Sequence, residues 1–411
     1  VFFELSRLAT GLDYTCVNAL DPSEVYCWGN PRWGRAGVGA HQSLFPAPGA
    51  MPNVAPQLVD MGGEAQPRDV LGGGDRHACS NFSSDGFSCW GDDLFEQTGG
   101  TPDRLITAPT AIFAEMGMIE EASFLVGGRA HSCYHNTTDD RVYCWGDATR
   151  GAVGVMTFQE TNPGTVNLAY EVDGLQFDQS LRGLTARDDY TCAWGDKVDE
   201  IRCWGAIPSV LFDPTDVGGV AIEWDAAVFD DPSKDDVVLS VAAGSQHLCA
   251  AVEENDPMIY CYGDNSKGQR GVDDIAGEAS NNFAWTATTG APEQLVAGRD
   301  HTCALAREDT MGAPGQVFCW GDNSFGQSGF TATNVIARPT VITEPTLVPG
   351  VEDLDVLQIS AGAYHTCAIG SKADEMRVIF EVVCWGRDSY GQITGLRTHV
   401  QPVPLEVERA Q

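Results

Sequence analysis

Lysine is scarce in this sequence, with only Lys197, Lys234, Lys267 and Lys372 in 411 residues, and basic residues number 24 against 58 acidic ones. The formal net charge of -34 would repel nucleic-acid phosphates and anionic membrane surfaces, so no nucleic-acid partner is expected. Long apolar runs are also missing. The best stretch, residues 112–126, is broken by Glu115, Glu120 and Glu121, which excludes a membrane-spanning helix and membrane insertion through one. The first residue is Val1, and no basic segment followed by an apolar run opens the sequence, which fits a chain presented without its signal peptide. Nucleophile elbow, phosphate-cradling Gly loop and EF-hand spacing are all absent, so no catalytic residue and no cofactor is expected.

What is present is a repeat. Its first half is Gly, two variable residues, His or Tyr, one residue and Cys: Gly11-Tyr14-Cys16, Gly74-His77-Cys79, Gly128-His131-Cys133, Gly244-His247-Cys249, Gly298-His301-Cys303 and Gly362-His365-Cys367, with Arg187-Tyr190-Cys192 lacking the Gly. Its second half is Cys, an aromatic residue and Gly, beginning at Cys27, Cys89, Cys144, Cys203, Cys261, Cys319 and Cys384. The two halves use all fourteen cysteines, and the first cysteines of successive copies lie 54 to 64 residues apart. Each copy reads as short strands punctuated by turns: an apolar strand such as residues 237–243, a strand through His-x-Cys, a polar turn, and a strand ending in Cys-Trp-Gly. Side chains alternate along a strand, so both faces of such a sheet carry packing groups, as a sheet sandwiched between two others requires.

Residues 297–305 (Ala297-Gly298-Arg299-Asp300-His301-Thr302-Cys303-Ala304-Leu305) and 317–327 (from Val317-Phe318-Cys319-Trp320-Gly321-Asp322 to Gln327) together resemble a full repeat of the regulator-of-chromosome-condensation family. The resemblance implies an all-β fold, a single domain over residues 1–411 formed as a seven-bladed β-propeller of four-stranded blades. The fourth copy departs most, with Arg187 for Gly and Ala206-Ile207-Pro208 after its Cys-Trp-Gly. The terminal Pro402-Val403-Pro404-Leu405-Glu406-Val407 is similar to a blade strand of the family, and its expected role is to complete the first blade and so close the ring.

Hairpin pairing within each copy predicts disulfides Cys16–Cys27, Cys79–Cys89, Cys133–Cys144, Cys192–Cys203, Cys249–Cys261, Cys303–Cys319 and Cys367–Cys384. Zinc is the rival reading of so many cysteines, but no pair has Cys-x-x-Cys spacing. Disulfides imply a secreted, extracellular or cell-surface protein, or a periplasmic one in a Gram-negative source. Two acceptor sequons, at Asn81 and Asn136, fall between paired cysteines, where exposed turns are expected to present them for glycosylation.

The repeated His and Tyr read as a structural ring and the repeated Trp as interblade core. The residues just before the His or Tyr vary instead, and Asp13, Asp75, Arg76, Arg129, Asp188, Asp189, Gln246, Arg299, Asp300 and Tyr364 form the candidate binding face. Family members that assemble through this face use Trp and Arg; Trp is absent here, so light sensing is not implied. The acidic segments 230–236 and 352–355 read as solvated loops, with weak surface calcium binding as their functional alternative. The expected function is a non-enzymatic interaction or structural module that binds an extracellular protein, a glycan or copies of itself. A secreted enzyme inhibitor and an enzyme with its site in the central channel are the alternatives.

Overall fold

The computed structural model describes residues 5–20, 23–35, 37, 56–59, 67–82, 86–98, 106–112, 122–154, 165–172, 174–177, 181–209, 211, 222–223, 236–253, 257–273, 280–284, 290–308, 310–330, 340–374, 377–393 and 400–406. Each copy of the repeat folds into one antiparallel four-stranded sheet, and the seven sheets follow one another along the chain as blades 1 to 7. The innermost strands are Leu5–Thr10, Pro67–Gly73, Ala122–Gly127, Gly183–Arg187, Val237–Ala243, Ala291–Ala297 and Asp355–Ala361. These inner strands lie against those of the preceding and following blades, and that of blade 7 also contacts that of blade 1.

The second and third strands of every blade put the two cysteines directly opposite, as in Cys79↔Cys89 and Cys303↔Cys319. All seven pairs named above are joined, and no cysteine is free. Each bridge closes a short loop, of 10 to 17 residues in sequence separation, worth about 3 kcal/mol by loop-closure entropy.

The blades are clasped by the repeated aromatic residues. His77 Nε2 hydrogen-bonds Ser132 Oγ of the next blade at 2.7 Å, and His131–Thr191, His247–Thr302, His301–Thr366 and His365–Thr15 repeat the contact at 2.7 to 3.0 Å. Tyr14 and Tyr190 reach further, donating to the carbonyls of Gly74 and Gly244. Trp rings clasp in the opposite direction: Trp90, Trp145, Trp204 and Trp320 donate from Nε1 to Arg35, Gln97, Ala152 and Gln269 carbonyls of the preceding blade at 2.9 to 3.0 Å. The Gly before the His is a matter of space, because a Cβ on Gly74 would lie 2.5 Å from the Gly128 carbonyl of the next blade. The Gly after the Trp is a matter of backbone: Gly91 has φ +119°, which side chains disfavour.

One expectation is overturned. The C-terminal strand, Val400–Glu406, pairs antiparallel with Arg377–Arg387 through Cys384↔Leu405, so it completes blade 7. Blade 1 has an outer strand of its own, Gln57–Leu58, on Cys27 and Tyr26. The two blades meet through side chains and loops instead: Leu8 N donates to Gln358 Oε1 at 3.0 Å, Trp28 Nε1 to Gln392 O at 2.9 Å, and Ala363 N to Gly11 O at 3.3 Å. A strand beside Cys384 finds its ladder partner within its own repeat, and the seventh seam is built like the others.

Candidate functional site

The variable residues before each His or Tyr occupy the turn between the inner and second strands. A second loop, which follows Cys-Trp-Gly, is tied to that turn by one backbone hydrogen bond in each blade: Asn30 N to Asp13 O, Asp92 to Arg76, Asp147 to Ala130, Ala206 to Asp189, Asp264 to Gln246, Asp322 to Asp300 and Arg387 to Tyr364, at 2.7 to 2.9 Å. Two loops per blade are thereby held side by side at one end of the propeller. Turns of neighbouring blades are also joined, by Leu12 N to Asp75 O, Asp75 N to Gly128 O, Arg129 N to Asp188 O, Ser245 N to Arg299 O and Arg299 N to Ala363 O.

The ten face residues fall into three environments. Asp13 and Asp189 are buried and internally committed. Asp13 accepts from Arg35 and from Asn30 Nδ2, and Asp189 accepts from Arg129 Nε at 2.7 Å with Arg150 Nη1 at 3.2 Å. These two carboxylates brace the loops, which corrects their assignment as presented contact groups: residue type marked them as polar, but burial behind arginines takes them out of reach. Asp75, Asp188 and Asp300 are half-buried. Burial pushes the carboxyls of Asp75 and Asp300 above the usual range, against the lowering influence of Arg187 and Arg299 respectively. Exposed Arg76 lies 3.7 Å from Asp92, Gln246 is exposed, and Arg129, whose side chain is 40% exposed, also faces Asp147 at 3.4 Å.

Blades 6 and 7 carry the densest constellation. Arg299, 56% exposed, donates from Nη1 to Tyr364 Oη at 3.0 Å and lies 3.8 Å from Asp300. Arg387 stacks over two rings, 5.3 Å from Phe325 and 5.4 Å from Tyr364, and those rings meet edge to face at 5.6 Å. Sequence reasoning missed Arg387 and Phe325. Their signal was in the second loop, where Arg387 stands in the place held by Asp92, Asp147, Asp264 and Asp322.

The imidazoles are unsuited to acid–base work or ligation. His77, His131, His247 and His365 are wholly buried, and desolvation lowers each to about 3; His301 is likewise well below its ordinary value. Among the described residues no group of three or more His, Cys, Asp or Glu is placed to hold a metal ion, and no helix is long and apolar enough to cross a membrane. Most of the acidic segment 230–236 lies outside the described residues. In the segment 352–355, Asp355 is engaged by Arg307 Nη1 at 2.6 Å and Gly315 N at 2.9 Å.

One of the two sequons differs from expectation as well. Asn81 is on the second strand of blade 2, 2% exposed, so a glycan has no access to its amide in this conformation. It follows Cys79 by two residues and therefore shares the buried face of the disulfide. Asn136 ends the second strand of blade 3 and is half-exposed, its Oδ1 accepting from Thr138 N at 3.0 Å.

Two models described as the regulator of chromosome condensation (RCC1) repeat match the chain, one over residues 314–369 and one over 238–269, 293–327 and 356–392. Human probable E3 ubiquitin-protein ligase HERC6 is 26% identical over 38% of this chain, which spans 13% of that protein. The ultraviolet-B receptor UVR8 of Arabidopsis thaliana is 22% identical over 95% of this chain and 67% of its own length. Among solved structures, yeast RCC1 (Prp20) bound to Kap60 superposes with a TM-score of 0.68 at 17% identity, covering 98% of this chain and 85% of that one. That likeness shows the fold, while the matched models show the repeat. The chain carries repeats of the regulator of chromosome condensation type, folded as a β-propeller.

Proposed function

We propose that this chain is an extracellular, non-enzymatic interaction module: a single closed ring of seven four-stranded blades that binds another protein through the loop face described above. The observation that carries the reading is the stack of exposed Arg299 with half-buried Tyr364, Arg387 and Phe325. Arginine and aromatic side chains dominate the energetics of protein interfaces, because they bury large areas while keeping directional polar contacts. In a chain of net charge -34 this cluster is a local inversion of sign, suited to a partner surface that presents carboxylates. A further crystal structure of Prp20p from Saccharomyces cerevisiae is described with its binding properties to Gsp1p and histones, and Kap60 is bound in the one compared above, so protein binding is a use this fold supports elsewhere. The extracellular placement rests on seven disulfides and no free thiol, a state that reducing compartments do not maintain.

The test uses the intact, oxidised chain as bait for proteins of its source's extracellular medium, with Arg299→Glu and Arg387→Glu as paired controls. A protein captured by the native chain and lost by both variants supports the reading. Capture that survives both reversals, or capture of glycans or of the chain itself alone, overturns it. Folded chain recovered from its native source with most thiols reduced would overturn the extracellular placement.

A further inference from the structure

The inner strands enclose a central cavity of about 370 Å³, near the lower end of the range of ligand cavities, about 300–1,000 Å³. Its described charged lining is Arg7, Arg182, Arg187 and Glu293, a positive set at the centre of a strongly acidic chain. Arg182 is spent on Asp196. Arg187 is not spent in that way. It stands where six blades have Gly, is 8% exposed, and reaches from blade 4 to the inner strands of blades 6 and 7, donating from Nη2 to Ala297 O at 2.5 Å and Ala361 O at 2.9 Å.

Those two carbonyls leave the guanidinium half-used. Its Nε is buried without a hydrogen-bond partner, and among the described residues no carboxylate lies within 4 Å of it. A cation removed from water needs a counter-charge; Asp75 feels Arg187 electrostatically but forms no ion pair with it, and neutral carbonyl oxygens do not supply one. Ring architecture does not demand the arm either, since the other six blades turn at this point on Gly. With both Nη2 hydrogens taken by the two carbonyls, Nε–H is the buried donor left over, and a charge-assisted hydrogen bond to an oxyanion is the strong interaction open to it. The hydroxyl-bearing Thr185, Ser240 and Ser360 line the same cavity.

We infer that the central channel is a binding site for a small oxyanion of the carboxylate or phosphate class, seated on Arg187. The anion completes the hydrogen bonding of Nε and neutralises this buried guanidinium, which bridges the channel. This inference does not rest on the proposed protein-binding face and fails or stands separately from it.

The experiment titrates the intact, disulfide-bonded chain by calorimetry with sodium phosphate and with sodium citrate, against sodium chloride at matched ionic strength, and repeats the titrations with Arg187→Gln and Arg187→Gly. The Gly variant restores the residue of the other six blades and is expected to fold. Binding of phosphate or citrate to the native chain, weakened at least tenfold in both variants, is the expected result. Arg187→Lys, which keeps the charge but loses the Nε donor, should fall between and supplies the comparison if the Gln variant does not fold. No saturable binding of either anion to the native chain, an adventitious response equal to that of chloride, or unchanged affinity in the Gly variant would overturn the inference and leave Arg187 a structural strut.

Discussion

Acid should unfold this protein through its histidines, and the size of the effect can be worked from their burial. His77, His131, His247 and His365 are neutral in the folded chain, lowered to about 3, whereas an imidazole in the unfolded chain has a pKa near 6.5. Between those values the unfolded state binds more protons, so stability is complete above about pH 6.5 and is lost as pH falls towards 3. From pH 7 to pH 5 each histidine then costs about 2 kcal/mol, and the four together about 8 kcal/mol. Some carboxylates act in the other direction: the charge of -34 repels itself less as acid groups protonate, and half-buried Asp75 and Asp300, with raised pKa values, accept protons sooner when folded. A single substitution separates the two contributions. In His131→Gln one proton-linked site is gone while the carboxylates stay, so the drop in unfolding free energy between pH 7 and 5, measured by denaturant titration with disulfides intact, should shrink by about 2 kcal/mol. An unchanged drop, or His131 ring signals in NMR spectra that titrate near pH 6.5, would refute the reasoning.

Four further outcomes are expected. Thr366→Val deprives the buried His301 of its Nε2 partner and should destabilise the chain by about 1–3 kcal/mol in denaturant titration. Arg35→Met strands buried Asp13 without its guanidinium and should cost about 3–5 kcal/mol by the same assay, more than the double change with Asp13→Leu. Cys249→Ser combined with Cys261→Ser should lower stability by about 3 kcal/mol while the Cys303–Cys319 and Cys192–Cys203 bridges persist in a non-reducing peptide map. Deletion of residues 400–411 should speed hydrogen exchange along Arg377–Arg387 and leave Ser23–Gly29 protected, because among the described residues the deleted strand pairs with the former and not the latter.

The repeat was legible because its scaffold residues recur at fixed offsets, and hairpin logic sufficed to pair cysteines that lie opposite each other. The terminal strand was misassigned because its Pro-Val-Pro-Leu pattern fits the outer edge of either neighbouring sheet, and nothing local distinguishes the edges. Period-two alternation did contain the burial of Asn81, two residues from Cys79, but a sequon's presumed exposure obscured it. The bracing roles of Asp13 and Asp189 depend on Arg35 and Arg150, which arrive from separate loops. Arg187 was visible as a departure from Gly, yet its acceptors lie 110 and 174 residues away across the axis. Distances of that kind span several blades and are not written in any one repeat.

Each blade draws its four strands from one continuous stretch of chain, and this has a consequence for how such a molecule can be rearranged. Cutting the backbone in any connection between blades, and joining the present ends, would sever no ladder of backbone hydrogen bonds in any sheet. The six circular permutants made in this way should therefore be nearly equivalent in stability. By the same token, a gene segment duplicated or lost in whole-blade units delivers or removes a finished sheet, so that the number of blades can change by recombination without any intermediate that leaves half a sheet unpaired.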